Sequence, residues 1–129
     1  MNRLETLIDE YDGSIEFGEC DLPVDGLYFD GTCLVKKENR YFKKLCVACE
    51  EVGHHVYTVG NILDQRKVSN VKQERVARAF AYNRLAPIER IKEAIAAGCI
   101  ENWQITEYLE LDDDFVADAI EYYRSKELL

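Results

Sequence analysis

The sequence predicts an α+β fold, mainly helical, with a small antiparallel β-sheet or hairpin packed beside a central helix. Three observations carry that expectation. Asp30-Gly31 stands between the apolar triplets Leu27-Tyr28-Phe29 and Cys33-Leu34-Val35, the signature of a tight β-turn. Residues 38–58 then place apolar side chains at spacings of three and four. Pro87 and Gly98 bracket a further segment by the proline-first, glycine-last asymmetry of helices.

Taken in order, residues 1–11 set Leu4, Leu7 and Ile8 at helical spacing before Asp12-Gly13, which predicts a short amphipathic opening helix. A strand around Ile15 to Phe17 and the Asp30-Gly31 hairpin follow. The 38–58 helix carries one apolar stripe of Phe42, Leu45, Cys49, Val52 and Val56. A loop, VGNILDQRK, leads to Asn70, which can cap a helix running to about Leu85 while Gln73 reaches back in a capping box. IERIKEAIAAG is the next helix. ITEYLEL and FVADAIEYYRSK close the chain as two more, with Asp112 to Asp114 suited to a helix N-terminus and Leu109, Phe115, Ala119 and Tyr122 available for packing. Neither an internal repeat nor a linker interrupts the pattern, so one domain over 1–129 is expected, its parts being 1–37, 38–86 and 87–129.

An apolar content of 47% in 129 residues is enough for one ordinary core. With 25 acidic and 16 basic residues the formal charge is -9, and no Lys/Arg cluster exceeds a dipeptide, which argues against a surface for nucleic-acid phosphates. The N-terminal MNRLETLIDEYDG has no apolar run like a secretory signal, and 18 uncharged apolar residues never occur together. A cytoplasmic protein without a membrane segment is the expectation. Five cysteines, an odd number in such a chain, are expected as reduced thiols.

The chemistry concentrates in CEEVGHHVYTVG, residues 49–60. Glu50 and His54 are four apart and so share a helix face beside the apolar stripe. A carboxylate oxygen and an imidazole nitrogen both ligate zinc. Glu51 projects about 100° further round, within reach of a water held at such a metal. A catalytic zinc takes three protein ligands, and Glu74, at the margin of the stripe formed by Ala77, Ala81 and Leu85, is the candidate third. Gly53 in mid-helix predicts close approach by another element. By spacing alone an ordinary Glu–His surface pair is the commoner reading, and a metal site the rarer. His55 falls on another face as a surface or structural residue, leaving a spare ligand. Cys46 and Cys49 form C-x-x-C, but with no second such pair and no βαβ pattern they read as buried small hydrophobes. Phe80, Trp103, Tyr122 and Tyr123 read as core or half-buried aromatics.

Taken together, LPVDGLYFDGTCLV, CVACEEVGHHVYTVGNI and KQERVARAFAYNRLAP resemble the ImmA/IrrE metallo-endopeptidase family, in particular its short members from phages and mobile elements. The likeness covers most of the chain and includes the E-x-x-A-x-x-F-A pattern at Glu74, Ala77, Phe80 and Ala81. It implies a zinc-dependent endopeptidase that cleaves a cognate helix-turn-helix repressor. Carried over, Glu51 matches the catalytic glutamate, His54 the second histidine ligand and Glu74 the downstream glutamate ligand. Glu50 stands where the family motif has its first histidine, a departure that resembles the E-E-x-G-H-H form of the short members. With two carboxylates and one histidine, the ligand set would neutralise a divalent ion and weaken its Lewis acidity. Slow proteolysis, restriction to one substrate, or metal binding only with the partner present would follow. A family member that binds its partner without cutting it, as a regulatory or toxin–antitoxin module, is the alternative.

Overall fold

A computed structural model describes residues 1–60 and 70–129, with side chains described for 1–57 and 71–129. In chain order the described elements are α1 (Arg3–Glu10), β1 (Glu16–Cys20), β2 (Gly26–Phe29), β3 (Thr32–Lys36), α2 (Tyr41–Gly60), α3 (Asn70–Leu85), α4 (Ile88–Ala96), α5 (Asn102–Leu109) and α6 (Asp113–Ser125). The fold is α+β and mainly helical, as the sequence predicts. Residues 61–67 of the expected loop lie outside the described residues, as does the Asn70 side chain on which the expected capping box depends.

The turn at Asp30-Gly31 forms as its letters require. Asp30 and Gly31 both have positive φ, 47° and 82°, the conformation of a type I′ turn, which joins β2 to β3 in antiparallel register with Phe29 opposite Thr32. The sheet as a whole is mixed rather than antiparallel. Its order is β1-β3-β2, and β1 runs parallel to β3 with Glu16 opposite Thr32. The physical reason is that the turn commits one edge of β3 to β2. β1 takes the free edge, extended by Glu16 N donating to Gly31 O and Lys37 N donating to Cys20 O, both at 2.9 Å.

β3 alternates, with Cys33 and Val35 buried, and α2 packs across β2 and β3 while α3 lies along its other side. The buried side of α2 is Leu45, Cys46, Ala48, Cys49 and Val52. Phe42 and Val56, expected in the same stripe, are 40% and 39% exposed, so the stripe is dry only through its middle turns. All five cysteines are free thiols.

The ends of the later helices follow their sequence signals. Pro87 precedes α4 with φ -61°, and past its end Gly98 adopts φ +101° while Cys99 N donates back to Ala94 O at 3.0 Å. Asp112 caps α6 by accepting from Phe115 N at 3.4 Å. Tyr123, 1% exposed, donates its hydroxyl to Ala86 O at 2.9 Å and so ties α6 to the end of α3. No helix among the described residues is long and apolar enough to cross a membrane.

Candidate metal and carboxylate site

The contact between α2 and α3 positions the site. A Cβ on Gly53 would stand 2.7 Å from Ala77 O and 2.9 Å from Ala77 Cα, so the two helix backbones touch where a larger residue has no room. Immediately beyond that contact, His54 Nε2 lies 3.1 Å from Glu74 Oε1. Two residues 20 apart in sequence thus meet because a glycine lets their helices meet. Glu74 is half exposed at the side chain, with Ala77 and Ala81 fully buried below it, which is the stripe-margin position expected from the sequence.

Glu50 and Glu51 face a cavity of 490 Å³ that Glu74 also lines. Glu51 is 9% exposed and is the only buried carboxylate among the described residues. Removal from water is the main cause that pushes its pKa up to about 7, and the nearby charges of Glu74 and Glu50 push the same way. Glu50 is half-buried. Burial raises its pKa as well, opposed by the Arg78 guanidinium and reinforced by Glu74, Asp118 and Asp25. Strand β2 closes the cavity wall at Gly26, where an added Cβ would overlap Val47 Cγ1 and lie 3.4 Å from Glu51 Cγ.

His55 takes a different partner. Its Nδ1 is 2.7 Å from the Tyr28 hydroxyl on β2, the rings stand edge to face at 5.5 Å, and the same hydroxyl accepts from Gly31 N at 3.0 Å. His55 therefore anchors the hairpin to α2, consistent with a structural reading. Cys46 and Cys49 pack into the core with their thiols pushed up to about 12, chiefly by burial, so neither is available as a thiolate.

Glu50, His54 and Glu74 supply oxygen, nitrogen and oxygen, donors of the kind zinc takes. Two zinc ligands at a tetrahedral angle would be roughly 3.4 Å apart, close to the His54–Glu74 separation of 3.1 Å. As placed, no three His, Cys, Asp or Glu side chains among the described residues converge on one point. The donor types and the His54–Glu74 pair fit a metal; Glu50 shares the cavity with Glu74 but not with His54, and the set is not closed.

Sequence reasoning missed Asp25, Asp112, Asp114 and Asp118, which line the cavity with the three glutamates against only Lys43 and Arg78. The surplus of carboxylate gives the cleft a negative field that draws in cations. The Asp112 to Asp114 run gave a signal only for a helix terminus, because nothing local tells which distant helix a cap will face. Comparison with family models, with curated proteins and with solved structures found no match to the chain.

Proposed function

We propose that this chain is a zinc-dependent endopeptidase acting on a protein partner, a helix-turn-helix repressor of a phage or mobile element. The observation that carries the reading is a cleft lined by Glu50, the buried Glu51 and Glu74, the last of which pairs with His54. The identity of the partner rests on the family resemblance. His54 and Glu74 would hold the ion, with Glu50 the candidate third ligand, which would have to turn toward them to complete the set. When bound, zinc supplies Lewis acidity that polarises a peptide carbonyl and acidifies a water molecule.

The chain's own residues do the rest. Glu51, with its pKa pushed up to about 7, is poised to take a proton and return it near neutral pH, the range in which a general base works best. Gly53 holds α3 against α2 and so fixes His54 relative to Glu74. Tyr28 and His55 hold β2 against the same helix, and Gly26 keeps that strand close enough to exclude water beside Glu51.

The test is cleavage of the partner by purified protein with its metal content measured in parallel. Glu51→Gln is expected to lower cleavage by about 10²–10⁴-fold with the fold intact. Undiminished cleavage by that variant would sink the assignment.

A second reading, a non-catalytic module that binds the same partner, is favoured by one observation. Glu50 replaces a neutral ligand by a charged one, and it stands unclosed on the other two. Partner binding with no cleavage and no bound metal at saturating zinc would select it.

A further inference from the structure

A groove of 870 Å³ runs between α3 and α6, outside the carboxylate cleft but sharing Arg78 and Asp118 with it. The two cavities therefore adjoin. The groove has an aromatic base, with the rings of Tyr82 and Tyr122 packed at 5.3 Å between centroids. Its rim carries Lys72, Arg75, Arg78 and Lys126 against Asp118 and Glu121. That is a local excess of two positive charges in a chain whose net charge is -9. None of the ion pairs among the described residues engages Arg75, Arg78 or Lys126. Lys126 instead sits with its Nζ 5.2 Å from the Tyr122 ring centroid. The contrast with the cleft next door, rimmed by seven carboxylates and two cations, is a reversal of sign across one wall.

We infer that this groove binds an acidic, partly apolar peptide segment of the protein partner, holding the adjoining chain over the carboxylate cleft. The inference deepens the endopeptidase reading and rests on it for what happens to that adjoining chain, while segment binding itself requires no metal and no catalysis. The chemistry of the walls selects the occupant. An apolar face of a helical segment covers Tyr82, Tyr122, Val76 and Ala79, as amphipathic helices do in a groove, and acidic side chains beside it reach the rim cations. Nucleic acid is the poorer fit, because its evenly repeated phosphates would meet Asp118 and Glu121 at the same rim. Charge reversal between groove and cleft also sets direction: an acidic segment is attracted to the first and repelled by the second, so only one orientation of the bound chain satisfies both.

The test uses the 129-residue chain carrying Glu51→Gln in chelator, so that no cleavage intervenes. Binding is followed by fluorescence anisotropy of a labelled helix-forming peptide of Glu, Leu and Ala, about 16 residues long, enough to span about 24 Å as a helix. The same peptide with Lys for Glu is the control. The Glu peptide is expected to bind at least about tenfold more tightly than the Lys peptide, and to weaken as salt rises from about 0.05 M to about 0.5 M. Arg75→Glu with Lys126→Glu is expected to weaken the Glu peptide at least about tenfold and to strengthen the Lys peptide. The milder pair Arg75→Gln and Lys126→Gln should fall between, and thermal melts establish that each variant is folded.

Unchanged affinity for the Glu peptide in the folded reversal variant would overturn the inference, as would no binding of that peptide by the unaltered groove. Displacement of the peptide by single-stranded DNA that depends on Arg75 and Lys126 would give the groove to nucleic acid instead. Partner cleavage that is undiminished in the reversal variant refutes the groove and leaves the endopeptidase standing. Glu-peptide binding by a protein that cleaves no partner upholds the groove and counts against hydrolysis.

Discussion

The two sides of α2 feel the same force and end with opposite chemistry. On the core side, burial pushes the Cys49 thiol up to about 12, far above any working pH, and it pushes Cys46, buried at the edge of the cleft, equally far. On the cleft side, burial pushes Glu51 up to about 7, into the working range. Desolvation disfavours the charged form in both. What differs is where each group starts: a thiol raised is silenced, and a carboxylate raised becomes a usable base. A reactive group and inert ones can therefore sit on one helix without any difference in the kind of environment.

The largest expected effect that would break this contrast lies in the thiols. A shift from 9.0 to about 12 lowers the thiolate fraction near neutral pH by about 10³. Cys33, Cys46 and Cys49 should therefore react with a disulfide reagent about 10³-fold more slowly than the half-exposed Cys20 and Cys99 in the folded protein, counted by absorbance before and after denaturation. Five equally fast thiols in the folded state would overturn it.

Next comes the stability of metal-free protein against pH. The folded pKa of Glu51, about 7, lies above its ordinary 4.5, so the folded state binds its proton more tightly than the unfolded chain does. Its contribution is fully present below pH 4.5 and is lost as pH rises through about 7, a change of about 3 kcal/mol. Urea titrations at several pH values should show wild type losing about that much relative to Glu51→Gln across the window. Parallel curves for the two proteins would remove the desolvated carboxylate.

A smaller effect tests what holds the cleft side in place. Gly53→Ala gains about 1 kcal/mol of helix propensity, but its methyl group meets backbone atoms of Ala77 that cannot rotate away. Overpacking of this kind costs about 1–3 kcal/mol, so a net loss of up to about 2 kcal/mol is expected by urea unfolding, together with weaker zinc binding by calorimetry as His54 and Glu74 separate. Smallest is His55→Ala, which removes one hydrogen bond to Tyr28 and should lower stability by about 1 kcal/mol while leaving zinc affinity unchanged.

Elements with a local chemical cause were legible in the sequence: the Asp30-Gly31 turn, the Asp112 cap, the Gly98 terminus and the close approach at Gly53. The 3.1 Å meeting of His54 and Glu74 could be anticipated because each stood at the margin of a helical stripe. The parallel pairing of β1 could not, since alternation along one strand does not say which edge of which neighbour it will take. The overextended α2 stripe failed for a related reason. Phe42 and Val56 have the right period, but a helix is buried only where another element covers it. The cleft role of Asp112, Asp114 and Asp118 was not legible because the start of α6 brings them in from far along the chain, and that of Asp25 because nothing local to the bend before β2 says what it will face.

The Tyr28 hydroxyl accepts from the Gly31 amide at the hairpin tip and pairs with His55 in α2. That amide is consequently a reporter of cooperativity. If hairpin and helix open as one unit, its hydrogen exchanges with solvent at the rate of the slow amides in the middle of α2; if the hairpin lifts by itself, the Gly31 hydrogen exchanges first.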